Sequence, residues 1–338
     1  MVPPPSAGFG DFVSEQAIEA LLQRVDAGVT DRNAGIFGPG SMSWRINRES
    51  ALFLGAGRAA LLQLAHPWVA AALRQHSSLL DRPIARFHNT FRIVFTMVFG
   101  TADQALAAAR HLYTLHTRIA GQLPEDTAAW KRGDRYEANE INALRWVYAT
   151  LVDSALLAYE AVFGALPPHE RERYYHETRA LAALFGIPAE SLPASIEDFT
   201  AYIQKMCEAG DSSGVLGVAA DARAMAHNLL AGAGSWIRPP NWYRALTASW
   251  LPARFRTEFE LNFGPAEQHS AARALERIPA IYLRLPQAVR FIGPWQEANA
   301  RLRGRALGPI GRLSNRFWIG EGQMPFGGQA RVPFDHEK

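Results

Sequence analysis

Four polar side chains interrupt otherwise apolar helical stretches in the first third of the chain: Arg86, Asn89, Thr90 and His116. His116 shares three- and four-residue spacings with Leu112, Tyr113, Ile119 and Ala120, which puts it on or beside a buried stripe. An imidazole there needs a partner for both ring nitrogens, and burial favours the neutral form, the form that binds metal. A satisfied core histidine and a metal ligand are both open at this point. Arg86 and Thr90 lie four apart with Asn89 between them, on one face with Phe87, Phe91 and Val94. Such a group can orient an anion or an oxygen ligand, or simply pair with a helix end. His66, before Pro67, is either a pocket residue or a cap on helix-end carbonyls. Arg45 and Arg48 are of the type that pairs bidentately with carboxylates, or are ordinary surface charges. Tyr148 lines a pocket or packs between helices.

Other chemistries are set aside. No G-x-S-x-G elbow, P-loop or H-E-x-x-H motif occurs. None of the ten histidines has Glu three residues before it, which removes the Glu-x-x-His pair of a di-iron helical bundle. Gly55-Ala-Gly57 is half a dinucleotide fingerprint, but it lies in a helical stripe with no strand before it. Its small residues let a second helix, or a flat ligand, come close. The single cysteine, Cys207, excludes an internal disulfide and is read as a buried structural thiol.

The elements that carry these residues are helical. The 338 residues are rich in Ala, Leu, Arg and Glu, and alternating β-branched runs are nearly absent, so an all-α fold is expected. The spacing predicts helices over 14–25, 48–65, 68–73, 83–97, 101–120, 138–163, 170–185, 195–208 and 216–230. Thr101 and Gln104 form a capping box. Beyond Gly232 prolines divide the chain into short helices, and from about Leu313 it reads as a tail. The expected organisation is an N-terminal helix and arm (1–34), one helical domain with a Pro-rich wrap (35–305), and a C-terminal tail (306–338). Three lysines and thirty-two arginines nearly balance thirty-two acids, for a net charge of +3. The arginines form no stripe, which argues against a nucleic-acid partner. With no apolar run of 18 residues and no basic, apolar leader, no membrane-spanning segment and a cytoplasmic location are expected.

Several ordered blocks resemble the catalytic domain of the rubber oxygenase (latex clearing protein) and MpaB-type oxygenase family. They are Arg58 to Leu62 running into His66-Pro67, then Arg86-x-x-x-Thr90, then Phe99-Gly-Thr101, then Leu115-His116 ahead of Gly121. Leu144 to Phe163, Phe185 to Pro188 and Leu285 to Gly304 continue the likeness, which covers about residues 35–305. The resemblance implies a globin-like helical core holding a b-type haem, with His116 as the proximal iron ligand. Its distal motif, Arg-x-x-Lys-Thr, falls on Arg86, Asn89 and Thr90. Arg45 and Arg48 become candidates for the haem propionates, and His66 and Tyr148 for the pocket wall. Three departures stand out. Asn89 replaces the distal lysine, no carboxylate lies on Trp68 to Leu80 where the rubber oxygenases carry an acid, and Tyr148 stands where many members have histidine.

The implied activity is a haem b oxygenase that uses dioxygen on a hydrophobic small molecule, with cleavage of an isoprenoid-like alkene first in view. Without the lysine and the acid, peroxide-driven oxidation and hydroxylation stay open. The alternative is a non-catalytic protein that binds haem or a hydrophobic ligand on the same framework.

Overall fold

A computed structural model describes residues 11–76, 83–208, 214–233 and 238–326. The chain is all-α. In order the helices are α1 (Glu15–Ala27), α2 (Met42–Asn47), α3 (Ala56–Leu64), α4 (Pro67–His76), α5 (Pro83–Phe99), α6 (Ala102–His116), α7 (Ile141–Phe163) and α8 (Pro168–Leu184). They continue with α9 (Ile196–Glu208), α10 (Ala220–Ala231), α11 (Asn241–Trp250), α12 (Ala253–Glu258), α13 (Pro265–Tyr282), α14 (Gln287–Arg290), α15 (Gly293–Leu302) and α16 (Pro309–Ile319). The one sheet among the described residues is an antiparallel ribbon of β1 (Ala120–Gln122) and β2 (Arg135–Glu137), with Gly121 opposite Tyr136.

The long α7 is the spine of the core. Trp146 is fully buried and donates its indole N–H to the Leu62 carbonyl of α3 at 2.8 Å. Arg58 of α3 reaches the same helix through Ser154 Oγ (2.8 Å) and Asp153 (2.7 Å). By length and apolarity α7 qualifies as a membrane span, contrary to the expectation from the sequence, but just over half of its most apolar window is buried within this fold. Its burial on several sides and its internally paired Arg145 and Asp153 fit a core helix.

Close approach explains the small residues near position 56. A Cβ on Gly55 would stand 2.5 Å from the Ser154 carbonyl oxygen, and one on Gly57 2.5 Å from Thr247 Oγ1. The two glycines therefore admit other helices. The expected helix 48–65 is instead the cap of α2 at Arg48, a 3₁₀ turn at Ser50–Leu54, and α3.

Prolines after residue 232 mark helix starts, where a missing N–H costs nothing. Pro265 and Pro309 occupy first helical positions, and Pro240, Pro252 and Pro286 precede α11, α12 and α14. Pro279 lies inside α13. The segment expected to trail off from Leu313 is the second half of α16, which packs along α5 and α15. Residues 327–338 of the expected tail lie outside the described residues.

Candidate functional site

Helices α5 and α6 form an antiparallel hairpin closed by Gly100 and Thr101. The predicted capping box is present: Gln104 N–H donates to Thr101 Oγ1 (3.2 Å) and Thr101 N–H to Gln104 Oε1 (2.9 Å). It satisfies two of the unpaired donors at the start of α6 and fixes its direction. His116 is the last residue of α6, whereas the expected helix ran on to about residue 120. The chain leaves the helix there because Ala138 N–H donates to the Ile119 carbonyl and 120–122 pairs with 135–137.

At 1.5 Å per residue His116 stands roughly 22 Å along α6 from the closed end. Counting back along α5 by the same rise places Arg86, Asn89 and Thr90 roughly 15–21 Å from that end, near the level of His116. Along the two helices, positions 86, 89 and 90 thus lie at about the same level as His116. Asn89 is exposed, and Thr90 and His116 are half-buried. Arg86 falls within α5, but its side chain lies outside the described residues.

Burial changes along the hairpin in both helices together. The closed end is packed solid: Phe95, Met97, Val98 and Phe99 on α5, and Ala102, Ala105, Leu106, Ala108 and Ala109 on α6, are all buried. Toward the open end Phe87, Phe91, Ile93 and Val94 on α5, and Leu112, Tyr113 and Leu115 on α6, are only half-buried. Those are large apolar side chains that ordinary packing would enclose. An imidazole therefore stands where the apolar side chains of both helices are less completely enclosed than at the closed end, with Phe87 and Phe91 packed under Phe53. That arrangement fits a flat, largely apolar group that takes one ligand from the protein. Among the described residues no three His, Cys, Asp or Glu side chains converge as a metal cluster, and a haem requires only one axial side chain.

The other residues singled out from the sequence lie elsewhere. Tyr148 is fully buried, and its hydroxyl bonds Thr178 Oγ1 at 2.9 Å; the threonine hydroxyl in turn donates to the Tyr175 carbonyl at 2.7 Å. That chain joins α7 to α8, and burial pushes the phenol's pKa well above its usual 10. Leu62 is fully buried between α3 and α7. Arg45 bonds Glu170 at 2.9 Å and Tyr159 Oη at 3.2 Å. Arg48 meets Glu49 at 3.4 Å and lies over the Phe291 ring at 4.5 Å. Helix α2, which carries Arg45, is tied to the closed end of the hairpin by Trp44, whose indole donates to the Val98 carbonyl at 2.9 Å. The structure thus seats both arginines on protein partners.

His66 is buried at the α3–α4 junction beside Trp68 and Trp130, with ring centroids 6.3 and 6.4 Å away. Its Nδ1 is buried without a hydrogen-bond partner, and desolvation lowers its pKa from 6.5 to about 4. Helix α4 separates it from His76, whose Nε2 lies 3.0 Å from the Ala120 carbonyl near the open end. Cys207 is buried, and desolvation raises its thiol pKa to about 12, in keeping with a structural role.

Two aromatic residues near the site carried no signal in the sequence reading. Phe53 packs against Phe87 (5.4 Å) and Phe91 (4.9 Å), and Trp318 stacks on Phe53 at 4.3 Å. The four-residue repeat Phe87, Phe91, Phe95, Phe99 was the available clue, since it makes one aromatic ridge that other elements must cover. A cleft of about 610 Å³ opens at the opposite, closed end, lined by Thr101, Gln104, Glu297 and Arg301. Glu297 there accepts from Asn315 Nδ2 (2.6 Å) and Met324 N–H (2.8 Å), so its carboxylate is engaged within the fold.

No curated protein and no solved structure matches the chain. A family model described as the catalytic domain of ER-bound oxygenase mpaB/B'/rubber oxygenase matches residues 44–281, well over half of the chain and the whole of α3 to α12. With its His-Pro junction, α5–α6 hairpin and terminal His116 all inside that span, the chain belongs to the MpaB and rubber oxygenase catalytic-domain family.

Proposed function

We propose that the protein is a haem b-dependent oxygenase acting on a hydrophobic substrate, with oxidative cleavage of an isoprenoid-like alkene as the first reaction to examine. The observation that carries the reading is His116 at the open end of the α5–α6 hairpin, level with Asn89 and Thr90 and flanked by half-buried apolar side chains. Family membership supports the oxygenase class.

A haem b bound there would supply the iron that activates dioxygen. His116 would hold it through an imidazole nitrogen at a fixed helix terminus. The half-buried Val94, Leu112 and Leu115 would exclude water and solvate both the macrocycle and an apolar substrate. Asn89 offers a neutral amide N–H and Thr90 a hydroxyl, two donors for a dioxygen oxygen atom that carry no charge. Cleavage of a carbon–carbon double bond by one dioxygen balances when each oxygen atom ends in one of two carbonyl products. The test is to incubate the haem-loaded protein with a polyisoprenoid in air and assay carbonyl groups by hydrazine derivatisation. Oxygen-dependent carbonyl products support the reading; haem without products from any alkene or added peroxide contradicts it.

Asn89 favours one second reading. With a neutral amide where the family resemblance expects a lysine, the same hairpin would serve a haem- or hydrophobic-ligand-binding protein without turnover. That protein would show bound haem and no oxygen-dependent product.

A further inference from the structure

Helix α16 turns the usual pattern of a packed helix inside out. Its inner face carries Gly311, Asn315 and Ile319, which are buried, and Trp318. Its outer face carries Ile310 and Leu313, each 68% exposed, and Phe317, 50% exposed. Positions 310, 313 and 317 recur at three and four residues, so the three side chains form one stripe along the helix. The stripe is held in place. Asn315 bonds Glu297, the Phe317 carbonyl lies 3.0 Å from His88 Nε2, and Arg92 bonds the Ile319 carbonyl (3.3 Å) and Glu321 (2.9 Å).

Between Glu297 and Glu321, both engaged within the fold, charge along the chain has one sign. From Ala298 to Gly320 the chain contains five arginines and no acid. Arg301 is turned inward to the Asn33 and Phe99 carbonyls. Arg303, Arg305, Arg312 and Arg316 are exposed, and among the described residues none of these four is ion-paired. Arg312 and Arg316, four apart, make a row beside the apolar stripe. An exposed apolar stripe bordered by unpaired cations is complementary to a surface with fixed negative charge outside and hydrocarbon beneath.

We infer that α16 is a membrane-surface helix, which docks the protein on an anionic phospholipid surface by inserting Ile310, Leu313 and Phe317 while the arginines meet headgroup phosphates. The inference does not depend on the oxygenase reading, because the test measures vesicle binding and needs neither haem nor turnover.

The experiment is co-sedimentation of the full chain with vesicles of phosphatidylcholine alone, or with about one-third phosphatidylglycerol. The expected result is binding to the anionic vesicles that weakens as salt rises, since surface attraction is screened. Arg312→Gln with Arg316→Gln should lower the partition coefficient by about fivefold per arginine removed. Leu313→Asp should lower it tenfold or more while circular dichroism and the melting temperature stay unchanged, since Leu313 is 68% exposed. The inference is overturned if the protein stays in the supernatant, if it binds neutral vesicles equally well, or if Leu313→Asp binds like the wild type. It is also overturned if light scattering shows a dimer that Leu313→Asp splits, because a second copy would then cover the stripe.

Discussion

Trp318 stacks on Phe53 with ring centroids 4.3 Å apart and planes 26° from parallel. This one contact links α16 to the 3₁₀ turn before α3, and Phe53 passes it on to Phe87 and Phe91. The aromatic ridge of α5 is thereby covered from outside by a helix almost at the end of the described chain.

Removing that cover has a definite cost. Trp318→Ala should destabilise the fold by about 2 kcal/mol, below the 3–5 typical of a fully buried tryptophan because both rings are only half-buried. Urea unfolding followed by circular dichroism checks this; a change under roughly 0.5 kcal/mol would show that the stacking is incidental.

The approach of α3 to α7 predicts a second loss. At Gly55 an added methyl would meet a backbone carbonyl, which cannot turn aside as a flexible side chain can. Gly55→Ala should therefore cost about 1–3 kcal/mol, although alanine normally favours a helix over glycine. A melting temperature equal to or above the wild type would contradict the packing described.

His66 gives the stability a pH dependence of known sign. Its folded pKa is lowered to about 4, against 6.5 when unfolded, so between these values the folded state binds fewer protons. Its contribution is complete above pH 6.5 and is lost as pH falls toward 4, up to roughly 3 kcal/mol in all. Unfolding free energies at pH 4.5 and pH 7 should differ by less in His66→Leu than in the wild type. Identical pH slopes in the two proteins would mean that His66 titrates alike in the folded and unfolded states.

The sequence carried the local rules well and the long-range ones poorly. The capping box of Thr101 and Gln104 needs only two residues three apart, and the glycines at 55 and 57 signal a close approach by their size alone. The end of α6 was misplaced because it is set by hydrogen bonds from residues 135–138, across an intervening loop. Tyr148 and Arg45 find their partners, Thr178 and Glu170, 30 and 125 positions away, distances at which spacing conveys nothing. Helix α16 was read as a tail because its buried face is built from Gly311, Asn315 and Ile319, while its apolar periodicity marks the outer side. The candidacy of Arg86, Asn89, Thr90 and His116 was legible, through the order of blocks shared with the family. The half-buried strip around His116 was not, since exposure is a property of the whole assembly.

The central claim is that His116 holds a haem. Titration of the purified full-length protein with hemin, followed by absorbance, tests it directly. The account predicts a Soret band that saturates at about one haem per chain and is lost or strongly shifted in His116→Ala, with circular dichroism unchanged in the variant. A well-folded wild type that develops no Soret band, or a variant whose spectrum matches the wild type, would contradict it.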